Sequence, residues 1–258
     1  MLPIPEEIPR AALVTGGAKR LGRGMALALA RAGFDVALHY ATSAPEAEDT
    51  AAEIRALGRK AVTLRADLAQ EREVEPVLPA AQDALGPIGV LVNNASTFER
   101  DEWHDATRAS WDQHLEPNLR APFVLGQAMA RALPHGAEGV IVNLLDQRVW
   151  SLTPHFVSYT VSKAGLWALT QSMALALAPR VRVNGIGPGP ALPSSRQSRQ
   201  QFETQCRSTP LRRGTSPEEI AAALLAILAF PSMTGQMIAL DGGQHLQWAP
   251  ATPGAVWE

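Results

Sequence analysis

The stretch Ala11–His39, "AALVTGGAKRLGRGMALALARAGFDVALH", decides the fold. It opens and closes on short apolar runs, "AALVT" (Ala11–Thr15) and "DVALH" (Asp35–His39), with a helical segment between them. Neither run alternates apolar and polar residues strictly, which suits strands covered on both faces. The rhythm recurs through "AVTLR" (Ala61–Arg65), "VLVN" (Val90–Asn93), "VIVNL" (Val140–Leu144), "VRVNG" (Val181–Gly185) and "MIAL" (Met237–Leu240). Helical segments such as "APEAEDTAAEIRALG" and "EREVEPVLPAAQDALG" lie between them. Repeated strand–helix–strand units predict a doubly wound parallel α/β sheet of about seven strands with helices on both faces. A chain of 258 residues suits one such domain, spanning 1–258.

Composition narrows the function classes. Net charge is −2, so no basic field draws the chain to nucleic acid or acidic lipid. Arg212-Arg213 is too short a pair to change that and reads as a solvated loop. Cys206 is the only cysteine, which excludes an intrachain disulfide, and no helix start or histidine neighbour is evident to activate it. Residues 1–10, "MLPIPEEIPR", form an N-terminal extension without the pattern of a signal peptide. The longest apolar run, "AAALLAILAF", is too short to span a bilayer, so a cytoplasmic protein is expected. No metal is expected. Residues 187–215 break the rhythm with four prolines and three glycines, and such long connections are usually lids or disorder.

Ligands of open parallel sheets bind outside the carboxyl ends of the strands. After the first strand comes "TGGAKRLG", whose glycines let backbone approach a pyrophosphate at a helix N-terminus. The second strand ends in "LHYATSAPE", with no carboxylate before Glu46. An acid there would hold the ribose hydroxyls of NAD. Without one a 2′-phosphate meets no repulsion, and Lys19 or Arg20 can lie nearby, so NADPH is expected over NADH. Asn93, in "NNAS", reads as a structural bridge between strands.

In "SYTVSK", Tyr159 and Lys163 stand at i and i+4, on one face of a helix. A cation beside a phenol favours phenolate and lowers tyrosine's pKa from about 10 towards working pH. That makes tyrosine a usable proton donor.

Together these motifs resemble the short-chain dehydrogenase/reductase family, of Rossmann-type fold, over nearly the whole chain. Thr15-Gly16-x-x-x-Arg20-Leu21-Gly22 is similar to its TGxxxGxG turn, with Arg20 where the middle glycine usually sits. "NNAS" is similar to its NNAG turn, with Ser96 replacing glycine; "NGIGPGP" and "ALDGG" agree with its PG turn and last strand. The resemblance implies cofactor contacts from Gly16, Lys19, Arg20, Leu21 and Gly22 on the turn. Further contacts follow the second and third strands: His39, Tyr40 and Ser43, then Asp67, which accepts from the adenine amino group, and Leu68. Asn94, Ala95, Ser96, Pro188 and Gly189 complete the set. It also implies hydride from the nicotinamide and a proton from Tyr159. Lys163 would hold the nicotinamide ribose, and Asn118, in "EPNLRAPF", a water linking the lysine to bulk. A homotetramer is implied, and the helix "YTVSKAGLWALTQSMALALA" is apolar on more than one face, with Leu166, Trp167, Leu169, Met173, Leu175 and Leu177.

The family places a serine thirteen residues before the tyrosine. This chain has Asp146, in "NLLDQRVW". An ionised carboxylate opposes the negative charge that develops when C=O is reduced and favours the cationic nitrogen formed from C=N. Asp146 therefore argues for an imine-like substrate. Two other readings stay open: Asp146 pairs with Arg20 or Arg148, or burial protonates it so that it imitates serine.

A narrower resemblance agrees with the imine reading. Pteridine reductases and dihydromonapterin reductases carry TGxxKRLG, an HY…S segment, NNASxF and aspartate in the serine position. These are similar to "TGGAKRLG", "HYATS", "NNASTF" and "NLLDQ". The branch implies a pterin between the nicotinamide and Phe98, with Arg20 touching pterin and cofactor phosphate and Ser96 bonding both. Thr42 departs from the arginine that meets the 2′-phosphate in parasite pteridine reductases. Three functions compete: an NADPH-dependent reductase of a pterin or similar cyclic imine, a general carbonyl reductase of 3-oxoacyl type, and a cofactor-binding protein without turnover. Intact Asn118, Tyr159 and Lys163 argue against the last.

Overall fold

The computed structural model describes residues 3–194 and 196–247. Met1 and Leu2 of the expected extension, Ser195 of the expected lid and residues 248–258 lie outside them. Seven strands form one sheet: β1 (Ala11–Val14), β2 (Asp35–Tyr40), β3 (Ala61–Arg65), β4 (Val90–Asn93), β5 (Gly139–Leu144), β6 (Val181–Pro188) and β7 (Met237–Leu240). Every pairing is parallel, in the order β3-β2-β1-β4-β5-β6-β7. The helices are α1 (Arg20–Arg31), α2 (Ala44–Ala56), α3 (Glu71–Val74), α4 (Val77–Leu85) and α5 (Arg108–Leu115). A π-helical turn (Glu116–Arg120) leads into α6 (Ala121–Ala132), followed by α7 (Val157–Leu177), α8 (Arg199–Ser208) and α9 (Pro217–Ala229).

Strand residues divide by parity. Ala12, Val14, Val90, Val92, Val140 and Val142 pack with α1, α2 and α9 on one face. Ala11, Leu13, Leu91 and Ile141 pack with α4, α6 and α7 on the other. Both faces of the central strands are apolar because both are covered. The strand order reverses beside β1, whose neighbours are β2 and β4, so the crevice above β1 and β4 is the topological switch point.

The structure adds detail to several expectations. The segment predicted as an extension is part of the body: Ile8 is buried in the first core cluster, and Glu7 O accepts from Glu138 N at 3.0 Å. The helical stretch from Glu71 divides into α3 and α4 at Glu75-Pro76, because proline lacks the N–H that would continue a helix. The irregular segment 187–215 contains α8, started by a capping box in which Ser198 accepts from Gln201 N and Gln201 accepts from Ser198 N. The surplus apolar face of α7 is also narrower than its sequence suggests. Leu166 and Met173 are buried and Trp167, Leu169 and Leu177 half-buried, which leaves Leu175, 84% exposed, from that set.

Candidate active site

The turn between β1 and α1 is built from residues in unusual backbone regions. Gly16 has φ +61°, and a Cβ added at Gly22 would sit 2.1 Å from Gly16 O. Both positions require glycine. Arg20 also lies in the left-handed region, at φ 55°. That is the glycine position of the resembling motif, and the left-handed turn explains why glycine suits it. Thr15 Oγ1 accepts from Asn94 N at 2.9 Å and Ala95 N at 3.0 Å, while Asn94 Nδ2 donates to Thr15 O and Gly16 O at 2.8 and 3.1 Å. These bonds lock the ends of β1 and β4 together at the switch point. Asn93 bridges β4 and β5 instead, donating to Asn143 Oδ1 at 2.8 Å.

Two cavities meet over this turn. One of about 400 Å³ is lined by Gly16, Lys19, Gly22, Tyr40, Ser43 and Ala95, with His39 at its base. The other, of about 320 Å³, is lined by Phe98, Asp146, Tyr159, Lys163, Pro188 and Gly189. Arg20, Leu21, Asn94 and Ser96 line both. The larger cavity has no carboxylate in its wall and has two cations, Lys19 and Arg20. A glycine cradle, a helix N-terminus and an acid-free wall fit a phosphate-bearing dinucleotide.

Tyr159 Oη donates to Asp146 Oδ2 at 2.9 Å, and Arg148 N donates to Asp146 Oδ1 at 2.8 Å. The phenol proton is directed at the carboxylate. Lys163 is buried, with Nζ donating to Leu144 O at 2.7 Å and lying 5.9 Å from the Tyr159 ring centroid. Burial pulls the Lys163 ammonium down to about 8, while Asp146 acts in the other direction.

The Asn118 side chain is engaged with the protein on both its oxygen and its nitrogen. Its Oδ1 accepts from Thr97 N at 2.8 Å, and its Nδ2 donates to Thr97 O and Ser162 Oγ at 2.9 and 3.0 Å. What the side chain does is hold the loop that carries Ser96 and Phe98. Asp67 and Leu68 do not line either cavity. Asp67 Oδ1 accepts from Ala69 N in its own turn, and Leu68 packs in the core. Arg20 donates to Pro193 O at 3.1 Å and Leu192 O at 3.4 Å, tying the glycine turn to the segment after β6. His39 is buried beneath the turn and does not face a ligand openly.

Phe156, Arg196, Gln147 and Asp101 carried no sequence expectation. Phe98 stacks on Phe156, with centroids 4.8 Å apart and planes at 15°, and meets Tyr159 edge-on at 4.6 Å. Arg196 donates to Glu99 Oε2 at 2.7 Å and Phe98 O at 2.9 Å, so the 187–215 segment also closes onto the Phe98 loop. Gln147, 6% exposed, lines the smaller cavity and has an Oε1 without a hydrogen-bond partner. Asp101 caps α7 from outside: its O accepts from Val157 N, its Oδ1 from Ser158 N and its Oδ2 from Ser158 Oγ at 2.6 Å. The residue that formally precedes α7, Phe156, is left-handed and offers no side-chain cap. Cys206 lines neither cavity, although Gln205 beside it lines the smaller one, and burial pushes its thiol up.

A family model described as enoyl-(acyl carrier protein) reductase matches residues 16–245, and the chain belongs to that family of short-chain dehydrogenase/reductases. It is therefore an oxidoreductase. A 3-oxoacyl-(acyl-carrier-protein) reductase of Synechocystis is 31% identical over 236 residues, 90% of this chain and 95% of that protein. The corresponding FabG of Staphylococcus aureus is 32% identical over 248 residues, 93% of this chain and 100% of that protein. Among solved structures, FolM alternative dihydrofolate reductase 1 from Brucella canis, complexed with NADP, is 44% identical with a TM-score of 0.92, covering 98% of this chain and 100% of that one. FolM from Brucella suis, also with NADP, is 45% identical with a TM-score of 0.90, covering 93% and 97%.

Proposed function

We propose that this protein is an NADPH-dependent reductase of a pterin or similar cyclic C=N compound, with Tyr159 as proton donor and Asp146 assisting protonation. The observation that carries the reading is the 2.9 Å hydrogen bond from Tyr159 Oη to Asp146 Oδ2. It puts a carboxylate beside any atom that the phenol protonates. Reduction of C=O develops negative charge on that atom. A carboxylate about 4 Å away opposes it by up to about 4 kcal/mol at an effective dielectric of ~20, roughly a thousandfold in rate. Reduction of C=N makes the atom a nitrogen that gains a proton and positive charge, which the same carboxylate stabilises.

The hydrogen-bond count points the same way. A substrate atom that takes the Tyr159 proton's bond leaves Asp146 Oδ2 without its donor. A ring with an N–H near the reacting nitrogen replaces that donor, and a simple ketone does not.

A bound NADPH supplies the hydride. The acid-free wall with Lys19 and Arg20 supports the phosphorylated cofactor, as do the NADP complexes of the FolM proteins. Lys163 offers its ammonium to a ribose hydroxyl from the cavity wall, and Asn118 keeps Ser96 and Phe98 in position through Thr97. Arg20 and Arg196 hold the 187–215 segment against the substrate side, which suits its role as a lid.

The 3-oxoacyl reductases at 31–32% identity favour a second reading, reduction of a 3-oxoacyl carbonyl. Following NADPH oxidation with dihydropterins, a dihydrofolate, cyclic imines and a 3-oxoacyl thioester separates the two. Turnover of the C=N compounds supports the proposal, and turnover confined to the thioester contradicts it.

A further inference from the structure

His39 stands last but one in β2 and is 1% exposed. A polar side chain so buried must satisfy both ring nitrogens or lose stability. Here both are satisfied, from different strands. Gly16 N donates to Nδ1 at 3.2 Å, and Nε2 faces Ala66 O at 3.0 Å. Since Gly16 N–H is a donor and Ala66 O an acceptor, one state of the ring fits: neutral, with the hydrogen on Nε2. The same residue's carbonyl accepts from Gly17 N at 3.0 Å. One histidine thus joins the turn after β1, the end of β2 and the residue that follows β3.

We infer that neutral His39 is a positioning residue for the dinucleotide: its Nδ1 holds Gly16 N–H from below and so fixes the left-handed turn on which the cofactor's phosphates rest. The inference rests on the cofactor reading above and is independent of which substrate is reduced. His39 touches no reacting atom. It acts through Gly16, whose φ of +61° must be held for the cradle to keep its shape. Protonating the ring puts Nδ1–H against Gly16 N–H, donor facing donor, and the turn must then move.

The electrostatics agree with the geometry. Burial lowers the imidazole below its ordinary 6.5, overcoming the opposing effects of the Ala66 hydrogen bond and the Asp67 carboxylate. Asp67 is the charged group that acts on the ring from the β3 side; Lys19 and Arg20 share the cavity wall on the turn side, and Tyr40 follows in β2. The neutral form therefore persists through neutral pH, and acid below the ordinary histidine range removes it.

Two measurements on the full chain test this. The first is ¹⁵N NMR of the imidazoles in the wild-type protein without cofactor. The expected signal from His39 is a neutral ring with Nε2–H and an unprotonated Nδ1; a protonated Nδ1 at neutral pH overturns the inference. The second is the NADPH dissociation constant of wild type, His39→Leu and His39→Gln as a function of pH. Loss of one buried hydrogen bond predicts about tenfold weaker NADPH binding in His39→Leu at neutral pH. Glutamine restores an acceptor for Gly16 and a donor for Ala66 without titrating, so His39→Gln is expected to recover most of that affinity. The cofactor's 2′-phosphate titrates near pH ~6 in every variant, so the quantity read is the difference between profiles. Wild type should lose additional affinity in acid that His39→Gln does not lose. Coincident profiles, or full NADPH affinity in a folded His39→Leu, contradict the inference. Failure of the protein to reduce any C=N compound leaves these readouts untouched and counts against the substrate reading alone.

Discussion

Tyr159 Oη donates to Asp146 Oδ2 at 2.9 Å across thirteen residues of chain. The bond joins the end of β5 to the first turn of α7. It fixes where the phenol points and places a carboxylate beside it.

Cofactor preference follows from the wall of the larger cavity. NADPH should bind more tightly than NADH, and Ala41→Asp should narrow or reverse the difference by placing a carboxylate where a 2′-phosphate would rest. Fluorescence titration of both cofactors checks this; tighter NADH binding by wild type contradicts it.

Lys163 gives two pH dependences of opposite sign. Its ammonium is lost as pH rises through about 8, so turnover that needs the cation should fall there. Stability should do the reverse. Between about 8 and the ordinary 10.5 the unfolded chain binds a proton that the folded chain has released, so raising pH through that window favours folding. Urea unfolding across the window should show the rise in wild type, and Lys163→Met should remove it.

Asp101 should matter to both stability and turnover, because it caps the helix that carries Tyr159. Removing a cap costs about 0.5–2 kcal/mol, and Asp101→Ala also removes the shorter of the two acceptors of the buried Ser158 hydroxyl, leaving Ser110 O at 3.3 Å. Chemical denaturation should place the variant near the upper end of that range, with turnover reduced in the fraction that remains folded. A change within error in both would show that the cap is redundant.

Phe98 should contribute mainly to substrate affinity. Aromatic stacking adds about 0.5–1.5 kcal/mol beyond burial. Phe98→Ala should raise the substrate's Michaelis constant while the NADPH dissociation constant changes little. Equal losses in both would mean that Phe98 chiefly supports Phe156 and Tyr159, its partners in the free protein.

The strand pattern made the sheet legible in the sequence because both faces of the central strands are covered and local composition reports that. That Tyr159 and Lys163 share a helix face was legible from their spacing, but the lysine's bond to Leu144 O was not, nor was the Tyr159–Asp146 bond, since the sequence left Asp146 to Arg20, Arg148 or a proton. Contacts set by tertiary packing were not. His39 at a strand end reads as a ligand contact; it does line the larger cavity at its base, but the turn after β1 folds over it and its hydrogen bonds to that turn were not legible. Asn118 reads as a water holder, and its side chain has a second task that no local pattern announces, bonding the Thr97 backbone. Phe156 and Asp101 belong to loops distant in sequence from the residues they support, and no local pattern announces them. The start of helix α8 is marked in the sequence by Ser198 and Gln201 at capping-box spacing, inside a segment rich in proline and glycine.

The central claim is that the charge of Asp146 selects C=N over C=O, and the ratio of kcat/KM for a dihydropterin to that for a 3-oxoacyl thioester tests it most directly in wild type, Asp146→Asn and Asp146→Ser. The account predicts that wild type prefers the pterin and that both variants lose about ten- to a thousandfold on it, on the order of 1.4–4 kcal/mol. Asp146→Ser should at the same time keep or gain activity on the thioester. A wild type that reduces the thioester and no C=N compound, with both variants leaving the ratio unchanged, would contradict it.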